Sequence, residues 1–324
     1  MVSDSEIELS DRAREKSVLV LMGRPVIDVT CSVEEIPGPG QKILARAVST
    51  CAGGVDGNYA ESMARLGLSV TAVGSAGSGP LGHIDRDSLA NAGVELCLDE
   101  KYCGPETTCF VLVNPAGERS IIIGYPDDPE RIALSLGESL RGLSNRSWDL
   151  GYLGVLREVH DQLLDLMRPR VRMLAATLEA SDWQGDWFAR QAGRFDVIFC
   201  ADETYEAHSE TLDAWQREHG WCLVVTEGAR GSWMIDAQGE LWREPAAKLS
   251  LAVVDTTGAG DAFASAFCAG HLLGRRGAPL LKLANWYAGQ KVLRAGPRSY
   301  PPQAEFLAKA YEVQKFEENG CADA

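Results

Sequence analysis

Short apolar runs ending in glycine or polar turns recur along this chain, separated by longer segments whose apolar residues follow a helical period. Ser17–Met22 (SVLVLM), Ser69–Gly74, Leu150–Leu153, Met173–Leu178, Val197–Cys200 and Leu223–Val225 each read as a strand buried on both faces, as the strands of a parallel sheet are. Between them, Ala60, Met63, Ala64 and Leu66 share one side of a predicted helix, Leu81–Ala92 forms another closed by Asn91-Ala-Gly93, and Leu281–Leu293 a third. Alternating strands and helices predict an α/β fold: a doubly wound, mostly parallel sheet flanked by helices.

Two stretches break the alternation. Residues 31–50 carry Pro-Gly-Pro-Gly punctuation between short β-like pieces. Residues 95–125 hold two β-rich runs, TTCFVLVN and RSIIIGY, joined by Pro115-Ala-Gly117-Glu, a hairpin signal. Together they predict a small β-sheet lid over one edge of the body, able to keep water from a reaction site and to offer strand edges to a second copy. One domain over 17–316 is expected, with a loose leader at 1–16, in which Ile7 and Leu9 could pack locally, and a frayed tail at 317–324.

The 324 residues are 45% hydrophobic and 24% charged, which suits a folded globular chain. The net charge of −15 disfavours nucleic acid and anionic lipid as partners, and a bound polyphosphate would depend on local amides, a basic side chain and a metal ion. The cysteines number nine, with no C-x-x-C pair. They read as reduced thiols of a cytoplasmic protein, and Cys97, Cys103 and Cys109 as packing residues. No apolar run reaches membrane-spanning length.

The densest chemistry lies in Asp255–Phe263, DTTGAGDAF. It joins the β-branched run Leu249–Val254, expected as a strand, to the small-residue helix Ala262–Leu273. Gly258 and Gly260 let the backbone approach a ligand and turn amides toward it, and the helix N-terminus adds positive dipole. Asp261 then sets a carboxylate beside an anion site. A lone aspartate in a first helical turn commonly serves only the helix, but the complete string is more restrictive. Asp28, just past the first strand, lies where open α/β sheets bind ligands. The glycines at 74, 77, 79 and 82 are not in dinucleotide-binding order.

DTTGAGDAF resembles the C-terminal signature of the ribokinase-like (PfkB-type) carbohydrate kinases. Gly53 and Gly54, followed by Asn58, Ala60 and ARLG, resemble their N-terminal signature. The resemblance spans about Val18 to Pro302 and implies transfer of the ATP γ-phosphoryl group to a sugar hydroxyl, in a homodimer joined through the lid. It implies Asp261 as general base, with the amides of Gly258, Ala259, Gly260 and Asp261 as anion hole. Asp28, Gly53, Gly54 and Asn58 would hold the sugar, with Glu179 facing either the cleft or solvent. Thr226, Gly228 and Gly231 would border the nucleotide, and Asn285 the adenine pocket, although a hairpin alone also explains the glycines. The family's Asn-x-x-Glu element, which helps to hold hydrated Mg2+, appears in altered form, with Glu203 and Glu206 the best fit. Asp255, Thr257 and Ser299 match the monovalent-cation site of potassium-activated members. Asp56 departs from the signature, where a small or basic residue is usual. Two alternatives remain open: a nucleoside kinase, with Tyr59 and Tyr125 as stacking candidates, and a non-catalytic sugar or nucleotide sensor.

Overall fold

The computed structural model describes residues 4–77, 79–99, 104–115, 119–124, 129–154, 161–179 and 185–320. The chain opens with helix α1 (Asp4–Arg14), strand β1 (Ser17–Leu21), β2 (Val26–Ser32), β3 (Ala47–Ala52), α2 (Val55–Arg65), β4 (Ser69–Ser75), α3 (Gly82–Asn91) and β5 (Glu95–Asp99). It continues through β6 (Thr107–Val113), β7 (Arg119–Gly124), α4 (Pro129–Gly142), β8 (Trp148–Leu153), α5 (Asp161–Met167), β9 (Val171–Leu178), α6 (Gly185–Gln191), β10 (Val197–Ala201) and α7 (Asp202–His219). Strands β11 (Cys222–Thr226), β12 (Ser232–Ile235) and β13 (Leu241–Glu244) precede α8 (Ala259–Leu272), α9 (Gly277–Lys291) and α10 (Gln303–Gly320).

Among the described residues the main sheet runs β13-β12-β11-β10-β9-β8-β1-β4-β5. Every pair from β11 to β5 is parallel, and β12 and β13 add antiparallel edge strands. The strand order reverses between β1 and β8, which opens a crevice beyond their carboxyl ends. Buried residues form one apolar cluster on each sheet face. One holds Tyr59, Phe263, Phe267 and Tyr287 from α2, α8 and α9, and the other holds Leu136, Leu164, Phe188 and Leu212 from α4 to α7. The doubly wound prediction is met.

The second sheet is the lid, ordered β3-β2-β6-β7. Its strands begin earlier than expected, at Val26, so Asp28 stands inside a lid strand and not in a loop after β1. Glu95–Asp99 pairs with β4 in the main sheet, because a strand that follows a crossover helix continues the parallel sheet. Two further expectations fail. The leader is helical, with Leu9 and Ala13 buried in the core against α10, their i,i+4 spacing giving one apolar stripe. The run Leu249–Val254 forms no strand, and Leu251 is 70% exposed. The β12–β13 hairpin already closes that sheet edge, so a β-branched run there has no partner to pair with. The tip of the β6–β7 hairpin, 116–118, lies outside the described residues, as does Tyr125, but the strands pair as predicted.

Candidate active site

Helix α8 begins after a turn that only glycine can make. Gly258 has φ +75°, and a Cβ there would lie 2.5 Å from the Pro297 carbonyl oxygen. The first bond spanning a full turn into the helix runs from the Ala262 amide to the Gly258 carbonyl, so the amides of Gly260 and Asp261 precede the helical ladder. The Ala259 amide is used within the turn, on the Thr256 carbonyl, which leaves it out of the expected anion hole. The turn is held from below. Asp255 accepts hydrogen bonds from the Thr257 and Gly296 amides, both at 2.9 Å, and Lys291, fully buried, donates from Nζ to the Asp255 carbonyl at 2.9 Å. Burial raises the proton affinity of Asp255, but these amides and the Lys291 charge outweigh it and hold its carboxyl below the usual range. Thr257 therefore stands beside Asp255. Ser299 turns its hydroxyl to the Ala295 carbonyl.

Asp261 accepts a hydrogen bond from the Asn58 side-chain amide at 2.7 Å, joining residues from the two ends of the chain. Burial raises the Asp261 carboxyl to about 7, against the lowering bond from Asn58. Glu179 and Asp28 raise it further, and Arg298 lowers it. The amide of Asn58 is itself oriented. Arg298 donates from Nε to Asn58 Oδ1 at 2.9 Å, so Nδ2 is the atom left to face the carboxylate. The Arg298 side chain, 6% exposed, also donates to the Gly53 carbonyl at 2.7 Å and pairs with Asp85 at 2.6 Å and Glu61 at 3.4 Å. A Cβ on Gly57 would strike the guanidinium. The Tyr300 hydroxyl donates to the Asn58 carbonyl at 2.8 Å. Arg298, Asp85 and Glu61 carry no local sequence signal, since their partners are far away along the chain.

A cavity of about 660 Å³ lies between lid and body. Asp28, Gly53, Gly54, Glu179, Asp255 and Thr257 are among its walls, and Asn58 and Ser299 are not. Val55 and Gly57, close to Asn58 in sequence, also wall it, and Asp261, bonded to Asn58, is half-buried. Asp28 is set against Gly53, where a Cβ would collide with its carboxylate, and against the Cys109 thiol. Burial raises the Asp28 carboxyl and lifts the Cys109 thiol to about 11. Cys109, expected as a packing residue, therefore walls the cavity. Asp56 accepts from the Gly154 amide at 2.5 Å, at the end of β8, and also lines the cavity. Tyr59 does not, being fully buried and stacked on Tyr152 with ring centroids 3.5 Å apart.

The expected nucleotide residues lie apart from this cavity. Thr226 ends β11, and Gly228, with φ +55°, lies open in the turn to β12. Gly231, with φ +112°, is where a Cβ would run into the Glu244–Ala246 backbone. Asn285 donates to the Glu244 and Pro245 carbonyls, both at 3.2 Å. These two residues thus lock the exit of β13. Glu203 and Glu206 are exposed in the first turns of α7. Glu206 borders a separate depression with Asp202, Tyr205 and Glu227, and Asp202 pairs with Arg230 at 2.6 Å. No three acids, histidines or cysteines among the described residues converge as a metal site.

Comparison with known proteins bears on the family and the fold. The family model for pfkB family carbohydrate kinases matches residues 16–133 and 192–304. An uncharacterized sugar kinase of Escherichia coli is 26% identical, over 92% of this chain and 95% of its own. A structure of Arabidopsis thaliana ribokinase complexed with ribose and ATP superposes with TM-score 0.68 at 19% identity, covering 91% of this chain and 98% of that one. The Methanocaldococcus jannaschii nucleoside kinase, a ribokinase-family member, gives TM-score 0.74 at 15% identity, covering 93% and 99%.

Proposed function

Since the chain belongs to the pfkB family of carbohydrate kinases, we propose that it transfers the γ-phosphoryl group of ATP to a hydroxyl of a small sugar or sugar derivative, with Asp261 as general base. The observation that carries this is the Asn58–Asp261 bond at the start of α8, in which residues of the two family signatures touch. A carboxyl raised to about 7 can accept a hydroxyl proton at neutral pH and is ionised often enough to do so. The Gly260 and Asp261 amides, at the positive end of a 14-residue helix, offset charge on the transferring group. The polar wall at Asp28, Gly53 and Gly54 fits sugar hydroxyls.

ATP supplies the phosphoryl group, and its phosphates fit the turn at Gly258, with the open β11–β12 hairpin at Thr226 and Gly228 free to take the nucleoside. Glu203 and Glu206, exposed in the first turns of α7 and outside the cavity wall, would hold Mg2+ only through its water shell, and no step is assigned to that ion. Lys291 places a fixed ammonium under Asp255, beside the expected monovalent-cation site. The sugar reading is favoured over a nucleoside because no aromatic ring walls the cavity among the described residues. On its outer face the lid presents Val48, Phe110 and Ile122, each about half exposed or more, and this face suits a homodimer contact. No helix among the described residues is long and apolar enough to cross a membrane.

The test is ADP release from Mg-ATP over a panel of sugars and nucleosides, with Asp261→Asn alongside. Sugar-dependent release by the native protein and its near-complete loss in the variant are expected. Full turnover by Asp261→Asn would refute the base assignment, and ligand-induced stabilisation without any ADP release would favour a sensor.

A further inference from the structure

The cavity roof is divided along its length. Side chains directly opposite one another across lid strands share a face. The rows Asp28–Cys51–Cys109–Ile123 and Thr30–Ser49–Val111–Ile121 follow from the strand registers, and all eight residues wall the cavity. The β2–β3 half of the roof is therefore polar, and the β6–β7 half, which also contributes Val113, is largely aliphatic. Val254 adds to the apolar side from the body. Ile121, Ile123 and Val254 are 57%, 62% and 61% exposed, so their apolar surface faces the cavity without a covering partner, and a ligand that covers it gains from burial. A free monosaccharide has hydroxyls all round and would leave polar groups against this half. Charge narrows the choice further. Asp28, Asp56, Glu179 and Asp255 line the cavity, with Arg24 as the cation in the described wall; Asp85, also in the lining, is paired with Arg298. Away from the amides of the Gly258 turn, such walls repel phosphate and carboxylate substituents on the acceptor.

We propose that the acceptor is an uncharged or amine-bearing glycoside whose sugar hydroxyls meet Asp28 and the polar half of the roof, while an apolar substituent lies along Val111, Val113, Ile121 and Ile123. This inference rests on the kinase reading above. The hydroxyl that is phosphorylated is the end of the substrate nearest Asp261, so the substituent sits at the opposite end. Selectivity then comes from burying the substituent, and appears mainly in KM.

The experiment measures ADP release with free pentoses and hexoses, their butyl and phenyl glycosides, an amino sugar, hexose phosphates, uronic acids and nucleosides. A butyl or phenyl glycoside should have a KM about tenfold or more below that of its parent sugar. Ile121→Thr, Ile123→Thr and the isosteric Val113→Thr should each pull the ratio of free-sugar KM to glycoside KM down toward one, with melting temperatures confirming that each variant is folded. Preference for a free sugar, a phosphorylated sugar, a uronic acid or a nucleoside overturns the inference and leaves the kinase reading standing, as does a glycoside preference that survives all three substitutions. Silence across the whole panel overturns the kinase reading itself.

Discussion

Replacing Arg298 by methionine removes the group that orients Asn58 and tests whether catalysis depends on it. The guanidinium faces two carboxylates whose side chains are 1% and 2% exposed, Glu61 and Asp85. Glu61 keeps Arg65 at 2.7 Å, but Asp85 loses its cation, and breaking one side of a buried pair costs about 3–5 kcal/mol. A fall in melting temperature on the order of 10 °C is expected for a domain of this size. The catalytic effect is separable from that loss. Without the bond from Nε at 2.9 Å, the Asn58 amide is free to flip and present its oxygen to Asp261, and a lowering charge is lost as well. Both changes raise the Asp261 carboxyl further. If the acid limb of kcat/KM moves up by about one pH unit from about 7, the ionised fraction at neutrality falls from about half to about a tenth, an approximately fivefold loss that recovers at high pH. Arg298→Lys keeps the charge but not the forked donors, so it should retain most of the stability and shift the limb less. Initial rates of ADP release from about pH 5.5 to 9.5, a range chosen to bracket that limb, decide the matter. Limbs that superpose for native protein and both variants would refute the relay, whatever happens to stability.

Three further outcomes follow from the same geometry. Asp261→Asn should stabilise the protein at about pH 8 and not at about pH 4: the raised carboxyl holds a proton that the unfolded chain releases near pH 4, so native stability falls as pH rises toward 7, and melting curves at both pH values check it. Gly258→Ala, at φ +75° and 2.5 Å from the Pro297 oxygen, should cost about 1–3 kcal/mol and reduce kcat by about tenfold or more as the anion turn shifts, measured by urea unfolding and steady-state rates. Lys291→Met removes the buried ammonium from the Asp255 carbonyl and should lower kcat, with K+ or ammonium restoring activity to the variant while leaving the native enzyme unaffected. Equal salt response in the two proteins would count against it.

The parallel strands were legible because each is a short run buried on both sides, and the lid because Pro-Gly punctuation interrupts the alternation. The same signals misplace Leu249–Val254. Its β-branched residues have the composition of a strand, but strand formation needs a partner, and the hairpin β12–β13 had already taken the sheet edge. Instead Val254 and Asp255 donate backbone bonds to Val292, and Val254 faces the cavity. Asp28 and Asn58 were marked by position within short motifs. Arg298 was not, because its role comes from Asn58, Asp85 and Glu61, all more than 200 positions earlier in the chain. Asn285 was marked by family position alone, and nothing local in sequence announced that its amide also ties down the Glu244 and Pro245 carbonyls. Helix α1 escaped notice because its charged residues hide a two-residue stripe that only α10 makes useful.

The bonds around Asn58 also set a timetable for the ribosome. Its partners Asp261, Arg298 and Tyr300 lie 203, 240 and 242 positions downstream, and sequence-distant contacts are the slow ones to close. Strands β1 to β11 and the lid can emerge and pair while Asp261 is still unsynthesised. The site is completed only when the segment through Tyr300 has left the exit tunnel, so partly made chains and products of premature termination are unable to spend ATP, however well their earlier halves have folded.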